Sequence, residues 1–134
     1  MEIVDSGLIW DTSGCTDGRA AASFVALCAT EGGDICASFR RGSAKDSTDG
    51  IATVCRSTDD GRTWRLACES LRVEQPQGLG QVVTAACFEP VAGRLSCFMT
   101  LFETPEGSRL YDGSEDTLLP SHLVMADSTD GGET

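Results

Sequence analysis

Residues 57–64 read STDDGRTW, and residues 128–134 read STDGGET, so that one polar stretch occurs almost unchanged in two places. Each copy follows a short apolar run rich in β formers. Asp59 is suited to accept hydrogen bonds from nearby backbone N–H groups, and Gly61 tolerates a backbone conformation that other residues resist. Trp64 supplies a large apolar ring to pack beneath the turn. The repeated stretch therefore predicts a structural turn that joins two antiparallel strands.

Short apolar runs bounded by Gly, Asp, Ser and Pro alternate along the rest of the chain, and no segment predicts a helix. The predicted strands cover residues 7–10, 23–29, 34–39, 51–56, 63–68, 81–88, 94–102 and 121–128. Glycine-containing hairpin turns are expected at 31–34 and 90–93, and a longer polar loop at 105–120. The order strand, turn, strand, polar loop, strand and STDxG describes 23–64 and again 81–134. This self-similarity indicates a repeat architecture.

The composition is that of a globular domain with an acidic surface. The chain is 40% hydrophobic, and it carries ten basic against twenty-one acidic residues, for a net charge of −11. Nucleic-acid-binding proteins show a basic face, so we expect no nucleic-acid partner and no anionic membrane partner. No apolar run reaches the length of a membrane-spanning helix. The start of the sequence does not read as a signal peptide.

The seven cysteines predict free thiols in a mostly apolar setting. Their number is odd, no CxxC spacing occurs, and the single histidine lies far from them in sequence, so no zinc site and no cofactor are expected. One disulfide stays open as an alternative, because Cys28 with Cys36, or Cys87 with Cys97, would face each other across a hairpin. Free thiols favour a reducing, cytoplasmic compartment, although the sequence alone leaves the location unknown.

The repeated stretch resembles the Asp-box, or BNR repeat, of sialidase (neuraminidase)-like β-propellers, whose pattern is S-x-D-x-G-x-T-W. The first copy matches this pattern at Ser57, Asp59, Gly61, Thr63 and Trp64. The second copy matches it at Ser128, Asp130, Gly132 and Thr134, where the sequence ends. The resemblance implies an all-β fold: a partial β-propeller with about two four-stranded antiparallel blades of a six-bladed fold.

The repeats also divide the chain. Residues 1–15 would contain a leading strand that completes another blade, 16–72 the first blade with the loop 57–64, and 73–134 the second blade. A propeller closes by radial repetition of four to eight blades, and each blade needs neighbours to bury its faces. We therefore expect an N-terminal fragment that needs the remaining blades of the same propeller and is inactive by itself.

The resemblance also places a candidate site at the other ends of the strands. Arg19, in GRAAASFVAL (18–27), stands where such proteins carry their first substrate-carboxylate arginine, and a surface arginine is the alternative. The stretch SFRRGSAKDSTDG (38–50) offers Arg40 or Arg41 as a second substrate-binding arginine. The same stretch offers Asp46 or Asp49 as the general acid/base. An ordinary solvated loop closed by a D-G turn is the alternative for these residues.

The function that this resemblance implies is a glycoside hydrolase of the exo-sialidase type, which acts on anionic sugar termini such as sialylated glycans. The alternatives are a non-catalytic propeller that binds glycan or protein, and another carbohydrate-active enzyme on the same fold. Sialidases use a tyrosine nucleophile, but the single tyrosine, Tyr111, lies in the long polar loop, so this chain lacks the nucleophile. His122 is expected to be structural.

Overall fold

The structure is a computed structural model, and it describes residues 6–71, 74–75, 78–79, 81–103, 111–112, 117–118 and 120–134. The fold class is all-β, as predicted: the described ranges contain strands, one 3₁₀ turn at Thr12–Gly14 and no α-helix. The strands are β1 (Ala21–Ala29), β2 (Ile35–Gly42), β3 (Ile51–Ser57), β4 (Arg65–Leu71), β5 (Glu74–Gln75), β6 (Gly78–Leu79), β7 (Gln81–Val91), β8 (Arg94–Phe102), β9 (Tyr111–Asp112), β10 (Thr117–Leu118) and β11 (Ser121–Ser128).

Two antiparallel meanders follow one another along the chain. The first sheet has the order β1-β2-β3-β4, and the second sheet has the order β11-β8-β7. Short two-stranded ribbons, β5 with β6 and β9 with β10, occur in the connections. The second sheet has three strands in the described ranges rather than the four of a full blade. Consecutive meanders of this kind are consistent with neighbouring blades of a propeller.

Two apolar clusters lie between the sheets, and each takes side chains from both sheets. The first contains Ala52, Val82, Ala85, Cys97, Met99 and Leu101. The second contains Cys36, Val54, Cys87 and Leu95. Alternate residues of a strand face opposite sides of a sheet, so one face of β2 and β3 packs against β7 and β8. The exposed side chains of Phe98 and Met125 belong to the opposite face of the second sheet. Burial between the sheets is therefore the main stabilising contribution.

Groups of the first sheet and of the loop before β3 also form hydrogen bonds with the backbone of β7. The Ser38 hydroxyl donates to the Ala85 carbonyl at 3.1 Å and accepts from the Cys87 N–H at 2.8 Å. The Val82 N–H donates to the Gly50 carbonyl at 2.9 Å. Polar groups buried between sheets are tolerated when they are paired in this way. The relative position of the sheets is therefore fixed by hydrogen bonds as well as by apolar packing.

The loop at 57–64 closes on its own side chains. Asp59 accepts at 2.8 Å from the Ser57 hydroxyl, at 2.8 Å from the Thr63 N–H and at 2.7 Å from the Thr63 hydroxyl. The Gly61 N–H donates to the Ser57 hydroxyl at 2.8 Å, and the Trp64 indole donates to the Gly61 carbonyl at 3.0 Å. Gly61 has a φ of +82°, which favours glycine. The hydrogen bonds from Thr63 and Ser57 lower the pKa of Asp59 to about 2.

The second copy, at 128–134, closes in the same way. The Ser128 hydroxyl donates to Asp130 at 2.6 Å, and the Gly132 N–H donates to the Ser128 hydroxyl at 2.8 Å. The Thr134 N–H donates to Asp130 at 3.0 Å, and its hydroxyl donates to the other carboxylate oxygen. Hydrogen bonds from Ser128 and Thr134 lower the pKa of Asp130. Both copies are turns, as the sequence predicts, and neither carboxylate is free for catalysis.

The strand predicted over residues 7–10 is wrong: these residues form no strand and pair with none in the described part of the chain. Trp10 instead packs on the outer face of the first sheet, the face turned away from the second sheet. Its ring centroid lies 6.1 Å from that of Phe39, and the Arg41 guanidinium carbon lies 4.9 Å from its centroid. Apolar residues form a strand only where a partner strand completes the hydrogen bonding.

The predicted hairpin registers are confirmed, since Cys28 lies opposite Cys36 and Cys87 opposite Cys97. All seven thiols are free, and burial raises the pKa of Cys97 to about 12.

Most of the long loop predicted at 105–120 lies outside the described residues. In those ranges that are described, no helix is long and apolar enough to cross a membrane.

Candidate functional site

Arg19 and the 43–50 loop meet at the end of the first sheet that lies opposite the 57–64 loop. The start of β1 pairs with the end of β2, with Ala21 opposite Gly42. Arg19 immediately precedes β1, and the 43–50 loop immediately follows β2. The Arg19 Nε donates to the Asp49 carbonyl at 2.9 Å and lies 3.8 Å from the Asp49 carboxylate. The antiparallel pairing of β1 with β2 thus brings together residues 30 positions apart in sequence.

Arg19 is the most accessible of the three candidate arginines, with 22% of its side chain exposed. Its Nη1 lies 3.5 Å from an Asp17 carboxylate oxygen, and its backbone N–H donates to Asp17 at 3.1 Å. Within the described ranges, none of its hydrogen bonds uses Nη2. Arg19 is therefore held in place by two acidic neighbours and keeps a donor that an anionic ligand could engage.

Arg40 is fully buried, and its guanidinium is occupied by oxygens of the protein itself. Its Nε donates to the Val82 carbonyl at 2.9 Å and its Nη1 to the Ala44 carbonyl at 2.9 Å. Its Nη2 donates to the Ser47 carbonyl at 2.5 Å and to the Ser47 hydroxyl at 3.1 Å. Burial lowers the pKa of Arg40 from its ordinary value. In this geometry Arg40 fastens the 43–50 loop and β7, and it presents no donor to a ligand.

Arg41, the next residue, lies on the opposite face of the first sheet and is only 1% exposed. Its Nε donates to the Thr53 hydroxyl at 3.1 Å, and its Nη2 contacts Glu69 at 3.2 Å and Asp17 at 3.3 Å. Beneath the Trp10 ring it lines a polar cleft of about 240 Å³. Its charge is balanced by two carboxylates, and none of its hydrogen bonds in the described ranges goes to the 43–50 loop.

Asp49 closes the 43–50 loop. Its carboxylate accepts from the Ser43 N–H at 3.0 and 3.2 Å and from the Ser43 hydroxyl at 3.2 Å. Burial acts to raise the pKa of Asp49, but the hydrogen bonds from Ser47 and Ser43 outweigh it, so the pKa lies below its ordinary value. A general acid at neutral pH needs a raised pKa. Asp49 therefore suits a structural role better than an acidic one.

Asp46 is exposed in the same loop. Among the described residues it forms no hydrogen bond and no ion pair. The sequence left Asp46 and Asp49 as equal candidates, and the structure separates them by their surroundings. The Asp49 carboxylate accepts hydrogen bonds, whereas the Asp46 carboxylate is exposed and accepts none in the described ranges. Asp46 is the carboxylate of this loop that can approach a ligand without dismantling the loop.

Asp17 was not predicted from the sequence as a residue of the candidate site. It lies 3.5 Å from Arg19 Nη1 and 3.3 Å from Arg41 Nη2, so that one carboxylate links two of the candidate arginines. Its pKa is lowered, first by the hydrogen bond from the Arg19 backbone and also by the charge of Arg41. The sequence Asp-Gly-Arg at 17–19 could have indicated this contact. Gly18 has a φ of +77°, and the turn that it forms brings the Asp17 carboxylate beside Arg19.

Two residues that the sequence analysis set aside lie elsewhere. His122, expected to be structural, is exposed at the start of β11, where its Nε2 lies 2.7 Å from Glu103. Tyr111 opens β9, and its side chain lies outside the described part of the structure. No group of three His, Cys, Asp or Glu side chains suited to a metal ion occurs in the described ranges.

The comparisons with known proteins find likenesses among solved structures. No family model matches the chain, and no curated protein matches it. Among solved structures, the chain is similar to Trypanosoma rangeli sialidase in complex with the inhibitor DANA. The TM-score is 0.49 and the identity 17%, over 81% of this chain and 20% of the sialidase chain. The chain thus spans about a fifth of the length of that sialidase.

Proposed function

We propose that this chain forms part of a sialidase-like glycoside hydrolase and supplies one wall of its site for an anionic sugar. Arg19 would bind the carboxylate of the sugar, and Asp46 would exchange the proton at the glycosidic oxygen. The observation that carries the proposal is the meeting of Arg19 with the 43–50 loop, at 2.9 Å between Arg19 Nε and the Asp49 carbonyl. This meeting occurs at the sheet end opposite the repeated turns.

Arg19 has the properties of a carboxylate ligand. A guanidinium presents paired donors that match a carboxylate, and Arg19 is oriented by its bond to the Asp49 carbonyl while Nη2 stays unused in the described ranges. Its contact with Asp17 is long, at 3.5 Å. A ligand carboxylate would replace this contact without disturbing the hydrogen bond that positions the side chain.

Asp46 has the freedom that proton transfer requires. A general acid/base must come within hydrogen-bonding distance of the oxygen it protonates, and Asp46 is the exposed carboxylate of the loop. Asp49 and the buried Arg40 would hold the loop in the conformation that presents Asp46. Hydrolysis with retention needs a second group on the opposite side of the sugar, which other blades of the propeller would supply.

The test is hydrolysis of an aryl sialoside, such as 4-methylumbelliferyl N-acetylneuraminide, by the protein that carries this chain together with its remaining blades. Asp46→Asn should lower kcat by roughly 10²–10⁴-fold, the contribution typical of a general acid/base. Thr48→Ala, in the same exposed loop, is the matched control and should leave kcat unchanged. Full activity in Asp46→Asn, with wild-type stability, would refute this assignment.

A non-hydrolytic propeller that binds glycan or protein is the second candidate. It is favoured by one observation: Arg40 and Arg41 donate to groups of the protein itself and leave Arg19 as the accessible arginine. In that case the same protein would bind N-acetylneuraminate in a calorimetric titration, and Arg19→Met would abolish binding, but no aryl group would be released. Release of the aryl group would exclude this candidate.

A further inference from the structure

Two pairs of cysteines lie directly opposite each other in the sheets. Cys28 of β1 pairs with Cys36 of β2, and Cys87 of β7 pairs with Cys97 of β8. Residues that face each other in an antiparallel pair have Cα atoms about 4.5–5.5 Å apart, and a disulfide requires a Cα separation of about 4.4–6.8 Å. Both pairs therefore hold two free thiols at a backbone separation that suits a disulfide.

The register around the first pair is regular. It runs without a shift from residues 26–29 to residues 35–38. Next to the pair, the Thr30 N–H donates to the Asp34 carbonyl at 2.8 Å and closes the hairpin. Opposite side chains in such a pair have Cβ atoms about 4.5–5.5 Å apart, whereas a disulfide has a Cβ separation of about 3.5–4.5 Å. A disulfide at this position therefore needs the two Cβ atoms to approach by only about 1 Å.

The two pairs differ in their access to solvent. Cys87 and Cys97 are 5% and 4% exposed, and Cys36 is 1% exposed. Cys28 is only half-buried at the edge of the same apolar cluster. Its thiol donates to the carbonyl of the neighbouring Ala29 at 3.5 Å, in an exposed position. Thiol–disulfide exchange requires contact between the attacking sulfur and the other disulfide, so a dissolved disulfide can reach Cys28 while the sheets stay closed.

From this arrangement we infer that Cys28 is a thiolation site for a low-molecular-weight disulfide such as oxidised glutathione, and that Cys36 resolves the product into a cross-strand disulfide. In the first step the Cys28 thiol loses its proton, and its sulfur attacks one sulfur of oxidised glutathione. The bond between the two glutathione sulfurs breaks, and one glutathione leaves as a thiolate that takes up a proton.

The second step closes the disulfide of the protein. The Cys36 thiol loses its proton, and its sulfur attacks the Cys28 sulfur of the mixed disulfide. The bond between Cys28 and glutathione breaks, and the second glutathione leaves as a thiolate that takes up a proton. Two cysteine thiols are thereby oxidised, and one molecule of oxidised glutathione is reduced to two thiols.

The second step should be the slower one. Burial raises the pKa of Cys36 to about 11, and only the thiolate attacks a disulfide. Well below its pKa, the thiolate fraction of a cysteine rises about tenfold with each pH unit. The mixed disulfide at Cys28 should therefore accumulate first, and its conversion should accelerate by roughly tenfold per unit between about pH 7 and pH 9.

The inference does not depend on hydrolysis of a sugar. Cys28 and Cys36 lie at the end of the hairpin beside the 30–34 turn, whereas Arg19 and the 43–50 loop lie at its other end. Neither thiol takes part in the contacts of the proposed sugar site. The thiolation site and the proposed function can therefore fail separately.

The test is incubation of the intact protein with oxidised glutathione, followed by alkylation of the remaining thiols and mass spectrometry of tryptic peptides. Cleavage after Arg19 and Arg40 gives the peptide 20–40, which contains both Cys28 and Cys36. We expect this peptide to gain one glutathione and then to lose it, and to end two hydrogens lighter than the dithiol. Two free thiols in this peptide, under conditions that oxidise the chain unfolded in guanidinium chloride, would overturn the inference.

The second pair is the control within the same protein. Cys87 and Cys97 have the same directly opposed register but are both buried. They react only when the sheets open, so their oxidation should be slower than that of the peptide 20–40 by more than roughly tenfold. Equal rates at the two pairs would show that exposure of Cys28 does not select the site, and would contradict the inference.

Variants then separate the two steps. Cys36→Ala should leave glutathione on Cys28, because the resolving thiol is gone. Cys28→Ala should leave Cys36 unmodified, because the buried thiol does not meet the reagent. Cys97→Ala removes a buried thiol from the other pair and should leave closure within the peptide 20–40 unchanged. Loss of glutathione from Cys28 at the wild-type rate in Cys36→Ala would refute the role of Cys36.

Discussion

Gly50→Ala tests the buried contact between the 43–50 loop, Arg40 and the second sheet. A Cβ at residue 50 would lie 2.5 Å from Arg40 Nε and closer still to the Val82 carbonyl oxygen. Neither neighbour can move freely, since Arg40 is buried and Val82 belongs to β7. The methyl group must therefore separate Arg40 from Val82 or displace the loop.

The expected magnitude follows from three terms. Overpacking in a rigid interior costs about 1–3 kcal/mol. Weakening the 2.9 Å bond from Arg40 to Val82 adds about 1.5–3 kcal/mol, the range for hydrogen bonds to charged groups. Replacing glycine by alanine returns about 0.4–1 kcal/mol by restricting the unfolded chain. We expect a net loss of about 1.5–5.5 kcal/mol in the free energy of unfolding.

The control is Gly14→Ala, because a Cβ at residue 14 has no neighbour within 4 Å. This substitution restricts the unfolded chain in the same way as Gly50→Ala but introduces no clash, so it should change the free energy of unfolding by less than about 1 kcal/mol. Urea unfolding followed by tryptophan fluorescence, on proteins of the same length, gives both values. A Gly50→Ala protein as stable as Gly14→Ala would show that the contact between Arg40 and β7 does not hold the sheets together.

Three further predictions concern the turns and the core. Because the pKa of Asp59 is lowered to about 2 from 3.8, its stabilisation is present above pH 4 and is lost as the pH falls toward 2; Asp59→Asn should flatten the pH dependence of unfolding over that range. Met99 has no exposed surface, so Met99→Ala should lower the free energy of unfolding by about 2–5 kcal/mol. Leu123 is 68% exposed, so Leu123→Ala should lower it by less than about 1 kcal/mol. Ser38→Ala should cost about 1–3 kcal/mol by leaving the Cys87 N–H and Ala85 carbonyl unpaired, and hydrogen exchange at Cys87 should accelerate.

The strands and turns could be predicted because each rests on local chemistry. The run 94–102 was predicted to the residue, since β-forming side chains and a glycine turn mark it within a few positions. The roles of Asp59 and Gly61 followed from the spacing within one short stretch. The strand at 7–10 was wrong because a strand also needs a partner, and a partner is a property of the whole fold.

The meeting of Arg19 with the 43–50 loop was predictable from the sequence, but the surroundings of the individual side chains were not. Arg40 and Arg41 are neighbours in sequence with opposite surroundings, and the difference depends on which face of β2 meets β7. A buried face of a strand is usually recognised in the sequence by alternating apolar residues. The buried face of β2 instead carries Ser38 and Arg40, which donate hydrogen bonds to the β7 backbone. The same tertiary contacts separate Asp46 from Asp49.

The hydrogen bonds of Ser38 and Arg40 have a consequence for repeat engineering. The repeated turns equate Ile35, opposite Ser57, with Leu95, opposite Ser128. By this register the second unit carries Phe98 where the first carries Ser38, and Thr100 where the first carries Arg40. The two units therefore share three paired strands and a closing turn, but the face that each presents to the blade after it carries different side chains. A tandem array built from copies of either unit would repeat the fold without repeating the natural interface, so a designer must redesign that surface at each junction.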